Sequence, residues 1–220
     1  MEPRRDDRLM TDTAPEVDRK PTKAERGAAT RARLLDATLE CLVELGWSGT
    51  STTEVVRRAG VSRGAQVHHY PTKEDLVLAA VEHLCIRRME EYRAAFESLP
   101  HEKRTTDASI DLLWSMWSGP TLGAWLELAV AARTEPALHE RFVEFERRFF
   151  DAAVALFRET QPDVAEPAFA RLALRFTFCL LDGLAVTRLA GVDRQELDEV
   201  LEAFKFIAAT LSIPGQAVRP

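Results

Sequence analysis

The 220-residue chain has only two tyrosines and almost no alternating runs of Val, Ile, Thr and Tyr. Strands draw on those residues, so a sheet protein is excluded. The dominant Leu, Ala, Glu and Arg favour helix. Long apolar runs are lacking too. The richest stretches, 121–132 and 172–190, are broken by Glu127 and by Arg175, Asp182 and Arg188. They fall short of the roughly 18 uninterrupted apolar residues of a membrane span. Cys41, Cys85 and Cys179 are far apart and form no CxxC pair, which fits reduced thiols packed in a core. The opening Arg4, Arg5, Asp6, Asp7 and Arg8 lack the apolar centre of a secretory signal. These absences point to the cytoplasm, with no membrane partner.

Catalytic signatures are equally scarce. GxGxxG, GxxxxGKS/T and HExxH are absent, and Gly46-Trp47-Ser48-Gly49-Thr50 misses the last glycine of a nucleophile elbow. None of the five histidines follows a glutamate by three residues, as a di-iron bundle requires. His68 and His69 are adjacent on a helix and point about 100° apart, so they do not chelate. No cofactor or metal is expected. A helical-bundle enzyme is the weaker alternative.

Charge is unevenly placed. The net charge is −6, yet residues 19–73 hold ten basic and five acidic side chains, while 76–220 hold 16 and 22. A basic segment on an acidic body is the footprint of a DNA-binding head.

Punctuation along the chain predicts an all-α protein. Residues 1–24, with three prolines and many charges, read as a disordered tail. A first helix runs from about Glu25 to Leu45 and ends at Gly46. Ser51-Thr52-Thr53-Glu54 is a capping box that opens a short second helix. Gly60 breaks that helix, Ser62 caps the third, Pro71 stops it, and Thr72 caps a long fourth. Further helices are expected over 106–117, 121–134, 137–160, 166–190 and 194–212. Two short helices joined by a tight turn at Gly60 have helix-turn-helix spacing. Residues 25–75 form that three-helix unit, and 76–220 a larger helical domain.

The helix over 166–190 carries two apolar stripes. One holds Phe169, Leu172, Phe176 and Leu180, the other Leu174, Phe178, Leu181, Ala185 and Leu189. A helix apolar nearly all round must be covered on both sides. The expected two-fold interface uses Leu174, Phe178, Leu181 and Ala185 with Leu201 and Phe204 of the last helix; burial within one chain is the alternative.

The string from Thr52 to Ala65 (TTEVVRRAGVSRGA), followed by His68 to Leu76 (HHYPTKEDL) and preceded by Glu44-Leu45-Gly46, resembles the TetR family of transcriptional regulators. The close resemblance covers about residues 27–77; beyond it only the helical layout and Asp182-Gly183-Leu184 look similar. It implies a homodimeric repressor that binds a palindromic double-stranded operator and is released by a small-molecule effector. It also implies residue roles. Thr52 and Thr53 hold phosphate at a helix start. Arg63 reads guanine, with Gly64 and Ala65 allowing close approach. His69 and Lys73 contact the DNA backbone. Gln66 stands where the family usually has a buried leucine and Val67 where it often has a contacting tyrosine. The expectation is therefore that Gln66 faces the groove and Val67 packs inside. In the body, Trp114, Trp117, Trp125, Phe145, Phe149 and Phe178 are the candidate lining of a ligand pocket, and few charges there suggest an apolar or aromatic ligand. A regulator controlled by a protein, or acting without a ligand, stays open, as does an activator.

Overall fold

The computed structural model describes residues 22–119, 121–161 and 167–211. The expected tail lies mostly outside them, and so do residues 212–220. Nine α-helices follow in order: α1 (Lys23–Gly49), α2 (Thr52–Ala59), α3 (Arg63–His69), α4 (Lys73–Ser98), α5 (Thr106–Trp117), α6 (Thr121–Ala132), α7 (Pro136–Thr160), α8 (Pro167–Leu189) and α9 (Arg194–Leu211), with a 3-10 turn at His101–Lys103. No strand occurs among the described residues.

Most helices start where the sequence placed a capping residue. Ser51, Ser62, Thr72 and Thr105 each accept a hydrogen bond from the backbone N–H three residues on. Helix α1 begins two residues earlier than expected, because Thr22 and Glu25 form a reciprocal capping box. Its end also differs. Gly46 is left-handed (φ 67°), but one more helical turn follows it to Gly49. Gly46 therefore kinks α1 rather than ending it. Gly60 (φ 61°) closes α2 and turns the chain into α3.

The largest apolar cluster joins Leu34 and Leu42 of α1, Val55 of α2, Val81 of α4, Leu128 of α6 and Phe145 of α7. Head and body thus share one core, and the expected boundary near residue 75 falls inside α4. A second cluster packs Ile110 of α5 against Leu181 and Leu184 of α8 and Leu197, Leu201 and Phe204 of α9. A third joins Phe150 and Ala153 of α7 to Leu174 and Phe178 of α8.

This packing corrects the expected interface. Leu174, Phe178, Leu181, Ala185, Leu201 and Phe204 are all buried within the single chain. The other stripe of α8 is the open one: Leu172, Phe176 and Val186 are exposed, with Cys179 and Gly183 between them. Leu189, placed on the inner stripe by the sequence, is exposed as well. On α9, Val200, Phe206 and Ile207 are exposed. Cys179 therefore lies on an open face, whereas Cys41 is buried and Cys85 half-buried. Burial pushes the Cys41 thiol up, and that of Cys85 up to about 12.

Candidate functional site

Two features of the chain can carry function, one at each end of α4. The first is the face around α3. Val55 and Ala59 fix α2 to α1, and the Gly60 turn sets α3 across them. Arg63 and Gly64, at the start of α3, are exposed, as is Thr53 at the start of α2; Thr52, Ala65 and His69 are half-buried. Arg63 has no ion-pair partner among the described residues. Burial lowers the pKa of His69, helped by neighbouring His68 and Arg31. It is held toward the neutral form, able to donate one N–H.

The Gln66 expectation is overturned. Gln66 is 1% exposed and Val67 48% exposed. The Gln66 amide donates to the Tyr70 carbonyl at the end of α3, so a polar side chain fills a core position with its hydrogen-bonding need met inside. Val67 takes the outward place and can meet a thymine methyl.

Other basic residues of the head are engaged. Glu54 accepts from Arg57 at 2.6 and 2.8 Å and from Arg58 at 2.8 Å, and Arg58 also reaches Glu44 at 2.7 Å. The two arginines hold the Glu54 carboxyl down at about 2. The positive excess read from the sequence is thus partly cancelled on α2. Lys73 is engaged too. Its ammonium donates to the Trp47 carbonyl at 2.5 Å and lies 4.2 Å from the Trp47 ring centre. Burial lowers its pKa. Lys73 ties α4 to α1, a task the sequence did not suggest.

The Trp47 N–H donates to Glu127 of α6 at 2.6 Å. Gly46 makes this approach possible, since a Cβ there would come within 3.1 Å of the Glu127 carboxylate. A residue of the body thus grips the end of the head's first helix. Arg141 of α7 adds an ion pair to Asp75 at 2.9 Å.

The second feature is a cavity of about 160 Å³ in the body. Trp117, Trp125, Phe149 and Phe178 line it as expected. Trp114 and Phe145 do not: Trp114 packs on the α5–α8–α9 cluster and Phe145 is buried in the largest one. Sequence reasoning missed the α4 wall, which is Leu84, Cys85, Arg88, Met89 and Tyr92. The helical spacing of these residues was the available signal. It also missed four charges at the rim and wall: Arg88, Glu146, Arg175 and Asp182. Arg175 donates to Glu146 at 2.6 Å and its guanidinium stacks 3.4 Å from the Phe150 ring centre. Asp182 accepts from the Trp117 indole N–H at 2.6 Å. Burial pushes the Asp182 carboxyl up, against the pull of Trp117 and Arg175. Among the described residues no group of three or more His, Cys, Asp or Glu could hold a metal, and no helix is long and apolar enough to cross a membrane.

A helix-turn-helix head on an all-helical body that encloses an aromatic cavity defines a class, the helix-turn-helix transcriptional regulators. Within it the chain belongs to the TetR family, whose members are DNA-binding regulators and not enzymes. Residues 34–80 match the family described as bacterial regulatory proteins, tetR family, and residues 118–211 match the C-terminal domain of BetI-type transcriptional repressors. The chain is 35% identical to the HTH-type transcriptional regulator CymR of Pseudomonas putida, over 81% of this chain and 89% of that one. It is 30% identical to the uncharacterized HTH-type transcriptional regulator Rv2912c of Mycobacterium tuberculosis, over 81% and 91% respectively. The fold is shared with a transcriptional regulator from Rhodococcus sp. Rha1 of known crystal structure, with a TM-score of 0.62 and 22% identity, covering 80% of this chain and 94% of that one.

Proposed function

We propose that this regulator is a cytoplasmic repressor that binds a two-fold symmetric operator as a homodimer and leaves it when a small molecule enters the body. One observation carries this reading: α4 is a single helix that begins beside α3 at Lys73 and forms a wall of the cavity from Leu84 to Tyr92. A ligand that pushes on Met89 or Tyr92 acts on a rod whose other end positions the head. Glu127 of α6, on the element that also supplies Leu122 and Trp125 to the cavity, grips α1 at Trp47. The two contacts give the head two arrangements. A ligand that favours one of them shifts the population away from the DNA-competent state.

On the DNA, the proposed contacts are Thr52 and Thr53 to phosphate, Arg63 to guanine O6 and N7, Gly64, Ala65 and Val67 against the groove floor, and His69 to the backbone. The dimer face is the exposed stripe Leu172, Phe176, Cys179, Gly183 and Val186 of α8 with Val200, Phe206 and Ile207 of α9. These residues recur at three- and four-residue spacing, which makes one apolar seam. Such a patch on the surface of a soluble chain marks an interaction site. A two-fold axis through it pairs like with like and spaces two α3 helices for successive major grooves.

The test is selection from a random duplex library with purified protein, followed by footprinting of the winning site. The expected result is a palindrome with two half-sites about one helical turn apart or a multiple of it. Absence of duplex binding at low ionic strength, with no small molecule added, overturns the proposal.

A further inference from the structure

We propose that the cavity takes a compact organic cation, an amine or quaternary ammonium carried on an apolar body of roughly one ring, with Asp182 as its charge partner. The inference rests on the cavity being the effector site and adds the chemical class of the effector. Three observations carry it.

The first is size. The cavity holds about 160 Å³, and a dry apolar cavity of about 150 Å³ takes up benzene. A fused or long-chain ligand does not fit without movement. The second is the wall. Trp117, Trp125, Phe149, Phe178 and Tyr92 supply aromatic surface, and the Tyr92 hydroxyl is already bound to Ser109 at 2.6 Å. Aromatic faces attract weakly hydrated cations and offer nothing comparable to an anion.

The third observation is charge. Four charged side chains border the cavity, and three are matched inside the protein. Arg175 is bonded to Glu146 and stacked on Phe150. Arg88 reaches Glu91 at 2.6 Å. Asp182 is left with the Trp117 indole and no cation within ion-pair distance among the described residues. A half-buried carboxylate without a counter-charge is costly, and its burial already pushes its pKa up. A bound cation repairs that deficit. An anionic ligand worsens it, and has to break the Arg175–Glu146 pair to find a partner.

The test is titration of the intrinsic tryptophan fluorescence of the full-length protein, since Trp117 and Trp125 line the cavity. Three probes of similar shape are compared: benzyltrimethylammonium, its neutral isostere neopentylbenzene, and 4-tert-butylbenzoate. The expected result is at least tenfold tighter binding of the ammonium than of the isostere. Asp182→Asn removes that preference while leaving the isostere's affinity unchanged, and Asp182→Glu keeps it. Ala153→Trp, which fills the cavity, abolishes quenching by the ammonium. Tighter binding of the isostere or the benzoate, abolished by Ala153→Trp, overturns the cation class and leaves the cavity as the effector site. An ammonium preference that survives Asp182→Asn overturns the role of Asp182. Quenching that survives Ala153→Trp, or no quenching by any probe, overturns the class and the effector-site reading together.

Discussion

Helices α2 and α3 are eight and seven residues long, while α8 and α9 run to 23 and 18. Helices below about 12 residues are marginal alone, so the short pair depends on its ends. Ser51 and Ser62 cap them, Gly60 turns between them, and Val55, Ala59 and Gln66 anchor them to α1. The long pair depends on its faces. Each buries one apolar stripe inside the chain and leaves another outside. The head is thus specified by single residues at fixed points, and the body by which of two similar surfaces is turned inward. Substitutions in the two regions are expected to fail in different ways.

The largest effect is expected on the outer face of α8. Phe176→Glu places a carboxylate in the seam of each protomer, and an uncompensated buried charge costs about 3–5 kcal/mol. Sedimentation is expected to show a monomer that retains its helical content and has lost its grip on the operator. A dimer of undiminished affinity would move the interface elsewhere. The inner face is expected to respond differently. Leu181 is 0% exposed, so Leu181→Ala leaves a cavity and lowers stability by about 2–5 kcal/mol. At temperatures where the variant is folded, its dimer affinity is expected to be little changed. Dissociation of Leu181→Ala without loss of unfolding free energy would reverse the assignment of the two faces.

This contrast also explains what was legible in the sequence. Caps and breakers have local causes, so Ser51, Gly60, Ser62, Pro71 and Thr72 placed the head's helices to within a residue or two. Facing is a tertiary property. Both stripes of α8 are apolar at helical spacing, and hydrophobicity alone cannot choose between Leu181 and Phe176. The same ambiguity misplaced Gln66. Polarity argued that it faces water, but the Tyr70 carbonyl, four residues on, satisfies its amide in the core. The cavity was half legible. Aromatic density found Trp117, Trp125, Phe149 and Phe178. The α4 wall and Asp182 depend on which helices meet, and only the packed chain shows that.

A smaller effect sharpens the head. Gln66→Leu removes one hydrogen bond and restores an apolar side chain at a buried position. Stability is expected to change by no more than about 1 kcal/mol, and the preferred operator to stay the same. A side chain reading adenine would instead lose about 1–3 kcal/mol at a single base pair. Such a position-specific loss, measured by competition among mutated operators, would return Gln66 to the groove.

The smallest effect is expected at Asp182, and its sign is informative. The folded chain holds this carboxyl above its ordinary range, chiefly through burial. An acid whose pKa is raised by folding makes the folded state bind more protons than the unfolded one. Stability then falls as pH rises through the folded pKa, and the full deficit is present at neutral pH. Asp182→Asn keeps an oxygen for the Trp117 indole and removes the charge. The ligand-free variant is therefore expected to melt at a slightly higher temperature than the parent at pH 7.5. The gap should close on acidification, once the parent's carboxyl is protonated too. A residue that lowers the stability of the empty protein fits a side chain kept for binding rather than for packing. Equal melting temperatures across that pH range would mean that the Trp117 hydrogen bond already compensates the charge, and that α8 carries no deficit for a ligand to relieve.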